Sequence, residues 1–427
     1  MNKTPKSLRL HIGLFGRMNV GKSTFLNYMS LQDVAITSPI AGTTTDVVEK
    51  TMELLPLGPI VFLDTAGIND ASALSEQRLK KTYAVFKRAD IAVLIVEAGI
   101  WQDYEILIVE KAKQENIPLV VVINKTDLSN PDAAYLRQIK VFSRQILTCS
   151  SIDRENQDQT INSFKKLLID VCPDDFLKPG DLISDLVPAA GWAVLIVPID
   201  LQAPKGRLIL PQVQTIREIL DNDAISIVVK EREYAHVLKN MVAKPDIVIC
   251  DSQVVLKMAA DTPPDVKCTT FSILFSRFKG NLIKAAQAAA IIDTLKSGDK
   301  ILIAESCSHH PIEDDIGRVK IPRWFRQYTG AEIIFNTCCG SDYPENLAEY
   351  KLVIHCGGCM VNRRAMLSRI AQAERAGVGI SNYGVCIAKL QGVLERVLSP
   401  FPAALDAYKK TEKLLNGGSN GIKNRRT

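Results

Sequence analysis

The chain of 427 residues has no apolar run long enough to cross a bilayer as a helix. Its most apolar stretch, 186–199, is interrupted by Pro188, Gly191 and Pro198 and reads as a buried strand. Charge of one sign is also scarce. Lys and Arg number 52 against 47 Asp and Glu, interleaved, for a net +5. That argues against nucleic acid as the main partner, as does the lack of a module mixing basic and aromatic residues. No charged-then-apolar leader precedes the Lys-rich start at 1–9, so a cytoplasmic protein is expected. In that reducing compartment ten cysteines do not form a disulfide framework. Cys149, Cys172 and Cys250 stand beside apolar runs and read as small buried hydrophobes. The cysteines beyond residue 300 call for metal or redox chemistry.

What is present is an alternation of apolar runs and helical-period segments through almost the whole chain, the pattern of βαβ units and mainly parallel sheets. The expected fold class is α/β, a larger first domain followed by two smaller parallel-sheet α/β domains. Strands are expected at 10–14, 60–63, 91–96 and 119–123, and a Pro- and Gly-bearing break at 172–180 closes a first domain over 1–172. A small α/β domain follows over 180–264, with strands at 193–199, 225–229 and 247–250. A third covers 265–410, with strands at 301–304, 332–335, 352–355 and 377–380. The Gly-, Asn- and Lys-rich tail 416–427 is expected to be disordered.

Gly16, Arg17, Met18, Asn19, Val20, Gly21, Lys22 and Ser23 fit the phosphate-binding loop, directly after an apolar strand, with Thr24 opening a helix. Glycines let the backbone wrap a β-phosphate, Lys22 supplies a point charge, and the Ser23 hydroxyl is a Mg²⁺ ligand. Asp64 ends a second strand where a carboxylate holds Mg²⁺ through water, and the Gly67 amide faces the γ-phosphate. Asn124, Lys125 and Asp127 follow a third strand. The two Asp127 oxygens match the N1 and N2 donors of guanine, Lys125 lies along the base, and Asn124 braces the loops. Ser150 and Ser151 stand where a backbone amide meets the guanine O6. Four motifs in this order specify GTP or GDP with Mg²⁺ and make the first domain a P-loop GTPase domain. Thr44, in a polar stretch suited to a switch loop, is the expected Mg²⁺ hydroxyl, with Thr43 its alternative.

Two short segments concentrate the remaining chemistry. Cys307, Ser308, His309 and His310 follow one strand; His355, Cys356, Gly357, Gly358 and Cys359 follow another. The carboxyl ends of parallel strands share one edge, so the segments converge there. On spacing alone iron and sulfur lead, and zinc or a thiol–disulfide pair stays open.

The N-terminal motifs resemble the translation-factor-related GTPases of the Era and MnmE type. In that group the loop asparagine, here Asn19, helps bind K⁺, and the residue after Gly67 is apolar, here Ile68. Isoleucine cannot orient water, so slow hydrolysis is expected. With the cysteine segments behind it, nearly the whole chain resembles the FeFe-hydrogenase maturation GTPases, the HydF family. The resemblance implies a 4Fe-4S cluster on Cys307, Cys356 and Cys359, with an exchangeable fourth ligand. His309, His355, Glu313, Asp314 and Asp315 are candidates for that position. It further implies a scaffold that holds the di-iron precursor of the H-cluster and passes it to apo-hydrogenase. Two radical S-adenosylmethionine enzymes would be suppliers, and the middle domain would form a homodimer interface. Cys338 and Cys339 receive no ligand role. The competing readings are an RNA-associated GTPase and a GTP-regulated zinc or redox protein.

Overall fold

The computed structural model describes residues 4–30, 48–64, 76–177, 180–198, 208–306, 315–340, 343–344 and 346–423. They form two compact units, Met1–Pro179 and Gly180–Thr427. Among the described residues no helix is long and apolar enough to cross a membrane.

In the first unit six strands, β1 (Leu10–Phe15), β2 (Val48–Leu54), β3 (Gly58–Asp64), β4 (Ile91–Glu97), β5 (Leu119–Asn124) and β6 (Ile146–Thr148), lie in the order β2-β3-β1-β4-β5-β6. All neighbours are parallel except β2, which runs antiparallel to β3. Strands β1, β4 and β5 are buried on both faces, which is why they read as unbroken apolar runs. One face packs under Phe25, Tyr28, Phe164 and Leu168, the other under Phe86, Tyr104, Ile108 and Ile139. Each such side chain contributes roughly 1.5–3 kcal/mol on burial. The sequence gives no sign of β2: its residues VEKTMEL are largely half-buried at the sheet edge, so no apolar run marks them.

The second unit carries two all-parallel sheets. β7 (Trp192–Ile196), β8 (Ile225–Val229), β9 (Ile247–Cys250) and β10 (Lys267–Thr270) stand in the order β10-β9-β7-β8. β11 (Lys300–Glu305), β12 (Ile334–Cys339), β13 (Leu352–His355) and β14 (Gly379–Asn382) stand in the order β12-β11-β13-β14. One apolar cluster runs continuously from Leu182 through the helices of both sheets to Tyr408. The helix Phe271–Lys279 follows β10 without a loop, because Thr270 ends the strand and caps the helix, its Oγ1 accepting from the Ile273 amide at 3.1 Å.

Two expectations need correction. The stretch 186–199 is not one strand: β7 begins only at Trp192. The amides of Leu182, Ile183 and Ser184 all donate to Glu218 Oε1, and a Cβ on Gly191 would meet Pro188 O at 2.7 Å. The tail expected to be disordered from 416 continues a helix, Pro402–Lys423. That helix is seeded upstream, where Ala404 and Tyr408 are buried and Lys389 Nζ donates to Tyr408 Oη and Glu412 Oε1. Residues 424–427 lie outside the described residues.

Candidate functional site

The carboxyl edge of the first sheet gathers the nucleotide motifs. Gly16 passes so close to β4 that a Cβ would lie 2.5 Å from Ile95 O, and its φ of +148 suits only glycine. Gly21, at φ +91, faces Asn124 Nδ2 at 2.4 Å from a hypothetical Cβ. Asn19 adopts φ +65, a conformation asparagine tolerates. Lys22 opens the helix Lys22–Ser30, is buried, and donates from Nζ to Gly16 O and Arg17 O at 2.7 Å each. Its ammonium therefore already lies over the loop. Met18, Ser23 and Thr24 are exposed at the mouth, and Val20 is buried beneath.

Asn124 ties this loop to the base-reading loops. Its Nδ2 donates to Val20 O at 2.9 Å, and its Oδ1 accepts from the amide and hydroxyl of Ser151 at 3.1 and 2.8 Å. Ser150 donates from Oγ to Asp127, which fixes one carboxylate oxygen, and Lys125 pairs with Glu97 at 3.0 Å. Asp64 is buried at the end of β3, in register with Leu14 of β1. The Arg17 side chain is the exception among the expected nucleotide residues. Its guanidinium forks onto buried Glu105 at 2.8 and 2.9 Å and reaches Gln102 Oε1 at 2.6 Å, so it anchors the loop to the helix Asp103–Gln114. Thr43, Thr44, Gly67 and Ile68 lie outside the described residues.

At the third sheet the ends of β12, β11 and β13 lie side by side, with Ala304 in register with both Cys338 and His355. The chain turns outward in one direction from β11 and in the other from β13, the crevice where open α/β sheets bind ligands. Cys356 extends β13: its amide donates to Ala304 O at 2.9 Å, and its Sγ accepts from the Ser306 amide at 3.2 Å. Ser306 is the neighbour of Cys307, which with His309, His310, Glu313 and Asp314 lies outside the described residues. Burial opposes ionisation of the Cys356 thiol, while the Ser306 hydroxyl and the Gly358 amide beside it favour the thiolate. Burial and the neighbouring Cys356 push Cys359 up. Among the described residues no three metal-ligating side chains come together. The soft donors that do face this edge, with one thiol favouring the thiolate, fit an iron-sulfur group better than a hard cation.

Two of the other candidates are already engaged. Arg369, a pure donor, bonds His355 Nε2 at 2.7 Å, so that nitrogen is the acceptor and Nδ1 carries the proton given to Cys356 O at 2.7 Å. Both ring nitrogens of His355 are thus used. Asp315 is buried and caps the turn Ile316–Lys320 through the Arg318 amide at 2.7 Å. Cys338 and Cys339 point to opposite faces: Cys338 packs with the cluster around Tyr343 and Met366, while Cys339 Sγ meets Arg318 at 3.0 Å and Glu305 at 3.4 Å. A small cavity of about 30 Å³ opens beside Cys356 and Gly357, walled by Phe275, Met366, Ile380 and Asn382.

Two buried cations here escaped the sequence reading. Lys279 donates to Gly358 O, Cys359 O and Val361 O at 3.2, 3.4 and 3.1 Å. Arg369 joins His355 to Gly340 O and lies 5.1 Å over the Tyr343 ring. Each lies on a helix that carries other basic residues, a pattern ordinarily read as solvent-facing.

Comparison with known proteins divides along the same lines. Residues 11–125 match the family described as 50S ribosome-binding GTPase. Residues 182–280 match the hydrogen maturase F dimerization domain, and residues 283–400 the hydrogen maturase F tetramerization domain. The tRNA modification GTPase MnmE of Picosynechococcus sp. is 37% identical over 128 residues, 29% of this chain and 28% of that protein. Its counterpart from Chromobacterium violaceum is 34% identical over 130 residues, 30% of this chain and 29% of that one. The chain therefore spans less than a third of the length of these curated relatives. Among solved structures, Era of Aquifex aeolicus bound to GDP.AlF4- is 20% identical, with 54% of this chain and 97% of that chain covered and a TM-score of 0.31. With both hydrogen maturase F domains in tandem behind a GTPase domain of the Era and MnmE type, the chain belongs to the hydrogen maturase F (HydF) family.

Proposed function

We propose that this chain is a GTP-governed iron-sulfur scaffold that holds the di-iron precursor of the FeFe-hydrogenase H-cluster and delivers it to apo-hydrogenase in the cytoplasm. The observation that carries the proposal is the contact of Cys356 Sγ with the Ser306 amide, which brings the second cysteine segment against the residue preceding Cys307. Cys307, Cys356 and Cys359 hold a 4Fe-4S cluster through thiolates, and His309 is the candidate for an exchangeable fourth position. The cluster supplies an iron site for attaching the cargo; the chain supplies the thiolates, the fixed His355 and the cavity beside them. Radical S-adenosylmethionine enzymes are the suppliers, and the chain works as a homo-oligomer through the domains the family names for dimers and tetramers.

At the nucleotide site Ser23 and Thr44 ligate Mg²⁺, and Asp64 holds it through water. Lys22 and the Gly67 amide meet the phosphates, Asp127 selects guanine, and K⁺ binds beside Asn19. With Ile68 unable to orient water, hydrolysis is slow and K⁺-stimulated, so nucleotide state times encounters with partners.

Metal and acid-labile sulfide analysis of anaerobically reconstituted protein tests this reading. About four iron and four sulfide per chain are expected for one 4Fe-4S cluster, with the iron lost on Cys307→Ser, Cys356→Ser or Cys359→Ser and GTP binding retained. Stoichiometric zinc without sulfide would overturn it.

A further inference from the structure

We infer that Lys279 is the fixed counter-cation of the cluster loop: it folds residues 356–361 around its ammonium and sets the reduction potential of the group the loop holds. The inference rests on the scaffold reading above and adds to it a residue outside the cysteine motifs.

Lys279 is the last residue of the helix Phe271–Lys279, ahead of Gly280, a place where lysine ordinarily reaches water. Here it is only 1% exposed. Its Nζ donates to three carbonyls of one short loop, those of Gly358, Cys359 and Val361. The loop's sharp bend at Gly358, with φ +65, leaves the Gly358 and Cys359 carbonyls free to turn inward. The helix end that presents Lys279 is itself tied to the loop's far side, for Arg363 donates to Phe278 O at 2.7 Å. Both Cys356 and Cys359 lie within electrostatic reach of the ammonium.

A side chain serving only to close the loop needs donors; it does not need charge. Charge matters because a thiolate-held iron-sulfur group is anionic and becomes more so on reduction. A positive charge buried beside it, where screening by water is weak, stabilises the reduced state more than the oxidised one. The same charge lowers the cost of bringing thiolates together before iron arrives.

The test uses the full chain, reconstituted with iron and sulfide without oxygen, comparing wild type with Lys279→Gln and Lys279→Met. The readouts are a redox titration followed by electron paramagnetic resonance, iron release to a chelator, GTP binding and circular dichroism. In both variants the ratio of reduced to oxidised group at the wild-type midpoint should fall about tenfold, a shift of about 59 mV to lower potential for a one-electron couple. Iron release should quicken at least several-fold, on the order of the 10–100-fold loss seen when groups supporting metal ligands are removed. GTP binding should not change. A folded Lys279→Gln protein with the wild-type potential overturns the inference, since it keeps a donor and lacks the charge. If both neutral variants lose their fold, Lys279→Arg decides: it must load iron at the wild-type potential, and a shifted potential or failure to load sinks the idea. A wild-type chain that takes up no iron refutes the scaffold reading itself, which separates the two failures.

Discussion

At the nucleotide site the chain bends a single contiguous loop, residues 16–23, and Asn124 locks that loop to the base-reading segments through Val20 and Ser151. The cysteine edge is built otherwise. There β11 and β13 bring together segments some fifty residues apart, and cations from two separate helices fix them, Lys279 at the loop after β13 and Arg369 at His355, the end of β13. Both sites use the carboxyl edge of a parallel sheet, but the first is organised by backbone conformation and the second by buried charge. A site of the first kind serves a ligand that arrives complete with its own Mg²⁺. One of the second kind suits an anionic group assembled in place, because its counter-charges are present beforehand.

The contrast breaks most visibly at Lys22. On its proposed role Lys22 makes two charge-assisted phosphate contacts, so with Lys22→Ala GTP affinity should fall by about 4 kcal/mol, on the order of a thousandfold. Iron loading should be untouched. Calorimetric titration with GTP and iron analysis of the same sample check both halves; iron loss together with nucleotide loss would show that the sites are not independent.

A smaller effect separates the two units by pH. His11 is buried in β1, and desolvation, with Arg88 nearby, lowers its pKa from 6.5 to about 4. The unfolded chain takes up that proton first as pH falls. Stability is therefore fully present above 6.5 and lost as pH drops toward and through 4, by up to about 3 kcal/mol at 1.36 kcal/mol per unit. His11→Gln should flatten this part of the melting profile of the GTPase unit. A profile as steep as wild type between pH 6.5 and 4 would remove His11 as the cause.

The smallest expected change sharpens the cysteine side. Arg369→Met keeps much of the buried volume but releases His355 Nε2 and Gly340 O, at about 2 kcal/mol. The His355 ring is then free to change tautomer, so its nuclear magnetic resonance signals should show exchange and iron release should quicken, with GTP affinity unaltered. Unchanged His355 signals would mean that Arg369 does not hold the ring.

What could be read from sequence follows from the same difference. The loop 16–23, Asp64 and residues 124–127 are contiguous words in a fixed order, and the interior strands β1, β3, β4 and β5 were legible because burial leaves an unbroken apolar run. Cys356 and Cys359 were legible as a spaced pair. Lys279 and Arg369 were not: each acquires meaning only once folding brings it to a loop about 80 and 14 residues away. Arg17 is marked by its place in the phosphate-loop motif, while Glu105, with which its side chain pairs, is 88 residues distant. Strand β2 stayed hidden for want of an apolar run, and the terminal helix because composition does not register the Tyr408 contact that seeds it.

Co-expression of apo-hydrogenase and the partner enzymes with the variant in which Cys307, Cys356 and Cys359 are all serine tests the scaffold claim most directly. The account predicts a protein that folds and binds GTP as wild type does, yet yields no active hydrogenase. Hydrogen evolution at the wild-type level from that folded variant would contradict it.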